Sequence, residues 1–148
     1  MAKPPSLSDE LLTAYQQTDY IVYDGDETIT LKVGQSSKAA ASLLKQNNAE
    51  SAVFITAWNP FSESHDDTIN AAANKRLFQV LQSLTAVIIE GEGISADKRW
   101  REASYFALRV SQEQVKKLCL DFDQTAAVFV DDSGTVELLF HSQISSHE

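Results

Sequence analysis

Hydrophobic residues recur along the chain with two periods, one typical of helices and one typical of strands. Leu11, Leu12 and Tyr15 follow Ser8 at helical spacing, and serine is a preferred residue at a helix start. The pattern therefore predicts a helix from Ser8, with these three side chains as its buried stripe. Further helices are predicted over residues 36–47, 67–84 and 111–122.

Strands are predicted where β-branched and aromatic residues dominate. These segments are 20–24, 28–33, 52–58, 86–91, 101–110, 125–130 and 135–140. Residues 52–58 (AVFITAW) are apolar without alternation, which is typical of a strand buried on both faces. Asp24-Gly25 and the DDSG segment at 131–134 indicate hairpin turns, and Gly91-Glu92-Gly93 is read as a flexible strand end.

Helices and strands alternate along the chain, which predicts an α/β fold, with α+β as the alternative. We expect a mixed β-sheet with helices packed on its faces. Because the length of 148 residues suits one core, residues 1–148 are expected to form one compact domain with flexible ends at 1–7 and 141–148.

The composition narrows the possible partners. Asp and Glu number 21 against 12 Lys and Arg, a net charge of −9. Nucleic acids and anionic membranes bind through clustered basic residues, and no basic run is present, so neither is an expected partner. The first ten residues lack the apolar stretch of a secretion signal, which favours a cytoplasmic location. The oligomeric state is left open.

The lone cysteine and the histidines carry no predicted chemistry. Cys119 shares a helical face with Val115 and Leu118 and is read as a small core residue. The three histidines have no metal-ligand spacing, and no other motif indicates a cofactor, so neither a metal nor a cofactor is predicted. The histidines are His65, His141 and His147.

Two asparagines fall on the apolar stripe of the predicted helix 67–84. Asn70 and Asn74 project onto or beside the face that carries its core residues. That face consists of Ile69, Ala73, Leu77, Val80, Leu81 and Leu84. Because an unpaired buried amide costs roughly 1–3 kcal/mol, the two amides must either brace nearby backbone or point into a pocket.

A second polar anomaly lies on the predicted strand after Trp100. Glu102 and Ser104 share a face with Phe106, and a buried carboxylate needs a cation, several donors or a wet cleft. The alternative is a glutamate at a strand end that reaches solvent. Thr56 and Asn59 end another predicted strand, where ligands collect in open α/β sheets.

Several segments together resemble the bacterial domain-of-unknown-function 3293 family, from about Tyr15 to Leu139. They are AYQQTDY, FITAWNPFS, NKRLFQVL, GEG, WREASYFAL and DQTAAVFV. The most specific motif is Thr-Ala-x-Asn-Pro at 56–60, and the pairs Asn74 with Arg76 and Glu102 with Ser104, together with Gln124, match further family positions.

The chain departs from that family pattern at two positions. Ala73 stands where the family commonly has an acidic residue, and Thr125 stands where asparagine often follows the glutamine. The resemblance implies a compact bacterial domain and does not indicate which activity, if any, the domain has.

A different reading starts from the D-x-D-x-T spacing of residues 24–28. In a haloacid-dehalogenase-like phosphatase, Asp24 would attack phosphorus and Asp26 would act as acid and base. Thr56 would hold a phosphate oxygen, and Asp131 or Asp132 would help to hold magnesium. An acidic hairpin turn explains the same residues more simply, and whether the protein is an enzyme stays open.

Our leading hypothesis is a domain that binds a small molecule or a peptide, uncharged or cationic, in a polar cleft at a strand end. The alternatives are the magnesium phosphatase and a purely structural interaction module. The two tryptophans are placed at the edges of this cleft, although core packing is the commoner role for such residues. The residues expected to form the cleft are Thr56, Trp58, Asn59, Asn74, Trp100, Glu102 and Gln124.

Overall fold

The computed structural model describes residues 8–59 and 64–141, and within these ranges four helices alternate with seven strands. The predicted flexible ends are 1–7 and 141–148, and all of their residues except His141 lie outside the described residues. The helices are α1 (Asp9–Gln17), α2 (Lys38–Gln46), α3 (Asp67–Leu84) and α4 (Gln112–Asp121). The strands are β1 (Asp19–Asp24), β2 (Glu27–Leu31), β3 (Ser51–Ile55), β4 (Ile88–Ile94), β5 (Arg101–Leu108), β6 (Ala126–Asp131) and β7 (Val136–Phe140).

All seven strands join one sheet in the order β2-β1-β4-β5-β3-β6-β7. The α/β class is confirmed, but the expectation of a mixed sheet is wrong, because every pairing between these strands is antiparallel. The helical connections do link strands that run in the same direction. Each such pair, however, is separated by at least one antiparallel strand: β5 lies between β3 and β4, and β3 lies between β5 and β6.

The centre of the sheet is buried on both faces, as predicted for residues 52–58. Ala52 and Phe54 of β3 point to one face, where α2 packs, and Val53 and Ile55 point to the other, where α3 and α4 pack. We call these the α2 face and the α3–α4 face. This alternation explains the continuous apolar run, because neighbouring side chains each enter a different core.

Two of the predicted helical stripes are narrower than expected. Ile69 and Val80 of α3 are 57% and 37% exposed, so they lie outside the core, whereas Leu77 and Leu81 are fully buried. In α1, Ser8 caps the first turn as predicted, but none of the described side chains of the helix is fully buried. Its apolar stripe therefore faces something other than a closed core.

Gly91 and Gly93 lie inside β4, so the prediction of a flexible strand end there is wrong. A Cβ atom on Gly91 would lie 2.5 Å from the backbone oxygen of Ile21 and 2.8 Å from the ring of Phe54. A Cβ on Gly93 would meet only a Thr18 methyl group, at 3.9 Å. Gly91 is thus required for close packing, and Gly93 leaves open space.

Cys119 is completely buried among the α3–α4 face residues, which confirms its predicted core position. Burial raises the pKa of its thiol to about 12, so the thiol stays protonated near neutral pH. His141, expected in the flexible tail, is 2% exposed, and its backbone N–H donates to Thr125. No helix in the described ranges combines the length and apolarity that a membrane crossing requires.

Candidate functional site

A cavity of about 550 Å³ lies between α1 and the α2 face of the sheet. Leu11, Ala14 and Tyr15 of α1 form one wall, which explains why the apolar stripe of that helix is only half-buried. Phe54 and Val128 belong to the sheet wall. The volume falls within the roughly 300–1,000 Å³ usual for small-molecule sites.

Strand register brings the polar end of the cavity together. Tyr20 of β1 pairs with Gly93 of β4, and Gly93 pairs with Glu102 of β5, so the three form one row across the sheet. All three line the cavity. Because Gly93 carries no side chain, the space between Tyr20 and Glu102 stays open.

Glu102 is partly buried in this wall, and its carboxylate accepts one hydrogen bond within the described part of the chain. The donor is the indole Nε1 of Trp100, 2.8 Å from Oε1. Desolvation raises the pKa of Glu102 to about 7, and the indole hydrogen bond lowers it only in part. Neither a cation nor a set of several donors compensates the carboxylate, so the observed environment is the cleft that the sequence offered as one explanation.

Trp100 is carried by the loop between β4 and β5. Ser95 Oγ accepts from the backbone N–H of Trp100 at 3.0 Å and donates to Asp97 at 2.6 Å. Asp97 also accepts from the backbone of Arg99, and the two hydrogen bonds lower its pKa. Trp100 is 44% exposed, so it stands at the rim of the cavity, and its alternative reading as a core residue is wrong.

The two helix asparagines brace the chain that follows β3. Asn74 Oδ1 accepts from the backbone of Ala57 at 2.7 Å, and its Nδ2 donates to Ala103 at 2.9 Å. Asn70 Oδ1 accepts from the backbone of Asn59 at 2.8 Å. Bracing, one of the two explanations given by the sequence, therefore accounts for both amides.

Asn59 and Gln124 keep unused polar atoms beside the cavity. Asn59 has φ of 47°, a left-handed conformation that asparagine tolerates, and its Oδ1 accepts from His65 and Asn70. The Gln124 amide nitrogen makes two long contacts, of 3.4 and 3.5 Å. Asn59 Nδ2 and Gln124 Oε1 have no hydrogen-bond partner in the described ranges, and both residues line the cavity.

The structure gathers most of the predicted cleft residues around this one cavity. Five of the seven line it: Thr56, Asn59, Trp100, Glu102 and Gln124. Thr56 Oγ1 is itself occupied, since it donates to Ala103 at 2.7 Å and accepts from Trp58 at 3.0 Å. Asn74 and Trp58 are not among the lining residues. Asn74 Nδ2 donates to the backbone oxygen of Ala103, and the backbone oxygen of Trp58 accepts from the Gln124 amide nitrogen.

Sequence reasoning missed the part of the cavity that precedes residue 55. The sequence pattern predicts Tyr15 in the buried stripe of a helix and Tyr20 in a strand, and it indicates a cavity at neither residue. The edge-to-face pair of Tyr20 with Phe54, at 5.4 Å between ring centroids, could not be foreseen without the strand order. Alternation along β1 was the available signal, because it places Tyr20 on the same face as Val22.

The residues of the phosphatase hypothesis do not meet. Asp24 ends β1 beside the Gly25-Asp26 turn, while Thr56 follows the end of β3. These strands run in opposite directions, so their carboxyl ends lie at opposite edges of the sheet. Asp131 accepts from Ser133 and Thr135 within its own turn. No cluster of three potential metal ligands occurs among the residues described.

The charged side chains among the described lining residues of the cavity are all acidic. Its described lining contains two carboxylates, Asp97 and Glu102, and no lysine, arginine or histidine. Arg101 binds Glu92 at 3.0 Å, and strand alternation places both on the opposite face of the sheet. The site therefore favours neutral or positively charged groups over anions.

These features define an α/β domain with an antiparallel seven-stranded sheet and an acidic, half-apolar pocket on one face. Residues 55–127 match the model of a family described as protein of unknown function (DUF3293), and the chain belongs to this family. The match covers about half of the chain, and all seven predicted cleft residues fall within it. Comparison with curated proteins and with solved structures found no match to either.

Proposed function

We propose that this domain binds a small organic molecule, or the end of a peptide, in the cavity between α1 and the α2 face. The observation that carries the proposal is the Glu102 carboxylate, which is desolvated in the wall with a single hydrogen-bond donor. Folding gains nothing from such a group, since an exposed glutamate would avoid the desolvation cost.

The surrounding groups support binding over a purely structural role. Asn70 and Asn74 have backbone partners and are explained by the fold. Asn59 Nδ2 and Gln124 Oε1 have no hydrogen-bond partner among the described residues, and both residues line the cavity. Apolar walls with a few convergent polar groups are the usual composition of small-molecule sites.

A melting-temperature screen against a library of metabolites tests the proposal, because a bound ligand stabilises the folded state whatever its chemistry. A ligand at a hundred times its Kd adds about 2.7 kcal/mol. For a chain of this size that is a rise of roughly 5–10 °C in Tm.

Gly93→Ala is the matched control for this screen. The added methyl group enters the open space beside Glu102 and meets no atom closer than 3.9 Å. The variant should fold normally and reduce the shift given by a ligand that occupies the space beside Glu102. A hit that stabilises both proteins equally binds elsewhere, and a screen in which all hits behave so would refute the proposal.

A further inference from the structure

We propose that the ligand of this cavity is an organic cation, a protonated amine carried on a compact apolar body. This inference rests on the proposed function and narrows it from small molecules in general to one charge class. It follows from three features of the cavity: its charge, the free side of one carboxylate, and the apolar surface facing that carboxylate.

The first feature is an excess of negative charge among the described lining residues of the cavity. Glu102 and Asp97 line the cavity, and its other described titratable lining groups are the phenols of Tyr15 and Tyr20. Lys32 is engaged outside it, 2.7 Å from Asp19 and 3.0 Å from the backbone oxygen of Gln17. An anionic ligand would therefore enter against two carboxylates with no cation to receive it, whereas an ammonium group would supply the missing charge.

The second feature is the orientation of Glu102. Trp100 Nε1 holds Oε1 at 2.8 Å, which fixes the carboxylate and leaves Oε2 without a partner in the described ranges. A protonated amine that donates to Oε2 would form a charge-assisted hydrogen bond where the local dielectric is low. The aromatic rings of Trp100, Tyr15 and Tyr20 also line the cavity, and a cation near an aromatic face is further stabilised.

The third feature is the apolar remainder of the lining. The apolar lining includes Phe54, Val128 and Leu138 from the α2 face, and Leu11 and Ala14 from α1. Glu102 and Phe106, the residue paired with Phe54, are four residues apart in β5, which is about 13 Å at 3.3 Å per residue. Side chains fill part of that length, so a phenyl ring on a two-carbon linker suits the space that remains.

Three probes that share a phenyl ring and a two-carbon linker test the charge class: 2-phenylethylamine, 2-phenylethanol and the slightly larger 3-phenylpropanoate. We would measure their Kd by calorimetry at pH 8 on the full chain. We expect the amine to bind at least about tenfold more tightly than the alcohol, and the carboxylate to bind most weakly.

Glu102→Gln should abolish the preference for the amine over the alcohol, because the amide keeps the shape of the side chain and removes its charge. Gly93→Ala should weaken both the amine and the alcohol, since it reduces the shared space. A structural role for Glu102 alone would not alter the ratio of the two affinities.

The outcomes separate this inference from the function on which it rests. Equal binding of amine and alcohol by the wild type, or a preference that survives Glu102→Gln, overturns the cation inference and leaves ligand binding in place. If no probe binds at about 10 mM while the metabolite screen yields a hit sensitive to Gly93→Ala, the inference also fails and the proposed function stands. If both experiments are negative, both proposals fail.

Discussion

Replacing Glu102 by glutamine should make the protein more stable above neutral pH. The folded-state pKa of Glu102 is raised by desolvation from 4.5 to about 7, so the folded state holds the proton more tightly than the unfolded chain does. As pH rises from about 4.5 to 7, the wild type therefore loses stability at this residue, and the loss is complete above about pH 7. Glutamine is uncharged, like the protonated carboxyl, so the variant does not lose this stability as the pH rises.

The magnitude follows from the same values. Each tenfold change in proton affinity corresponds to about 1.4 kcal/mol, so the full effect is about 3 kcal/mol. Solvent at the rim screens a partly buried group, and we expect about 2 kcal/mol to be measured. The Trp100 hydrogen bond can be kept by the glutamine oxygen, so its loss should not mask the gain.

Urea unfolding of both proteins at several pH values between 4 and 8.5 measures this difference. The two proteins should have equal unfolding free energies near pH 4, and at pH 8 the unfolding free energy of the variant should be higher by about 2 kcal/mol. Glu90→Gln is the matched control, because Glu90 is exposed on the neighbouring strand and loses no desolvation cost when neutralised. A Glu102→Gln difference that stays flat across this range would show that the carboxylate is not desolvated, and the argument for the site would fail.

Two further predictions test the cavity wall. Gly91→Ala should destabilise the fold by about 2–4 kcal/mol, because its Cβ would lie 2.5 Å from the Ile21 backbone oxygen. Gly93→Ala should stay within about 0.5 kcal/mol of the wild type. Equal unfolding free energies for the two variants would contradict this prediction. Asn74→Leu should cost about 2–4 kcal/mol in urea unfolding, because it leaves the buried Ala57 N–H without its acceptor; a neutral result would mean that the amide is not a brace.

The sequence predicted most elements because their local signals agree with the fold. Helix α3 begins and ends where its periodicity indicates, and α4 is capped by Ser111 as its capping box requires. The strand arrangement could not be predicted in the same way. A helix between two strands indicates that they run in the same direction, but only long-range packing decides whether a third strand, such as β5, is inserted between them.

The sequence predicted those residues of the candidate site whose side chains conflict with the apolar face of their helix or strand. Glu102 stood out because a carboxylate conflicts with the apolar face of β5. Tyr15 gave no such signal, since an aromatic residue on a helical stripe is equally consistent with a core and with a cavity wall. Gly93 gave an ambiguous signal, because glycine is favoured in turns and also occurs inside strands where a ligand or another backbone approaches closely.

The difference between Asn74 and Glu102 shows how buried polarity separates structural from functional residues. Both were identified by the same argument, a polar group on an apolar face. Asn74 uses both of its amide atoms on backbone groups, so removing it should destabilise the fold. Glu102 uses one oxygen on a side chain at the rim and has a raised pKa, so neutralising it should stabilise the fold. Opposite signs of the two changes would mean that the fold requires Asn74 and is destabilised by the Glu102 carboxylate. Under the binding proposed above, the ligand that enters the cavity beside Glu102 explains this cost.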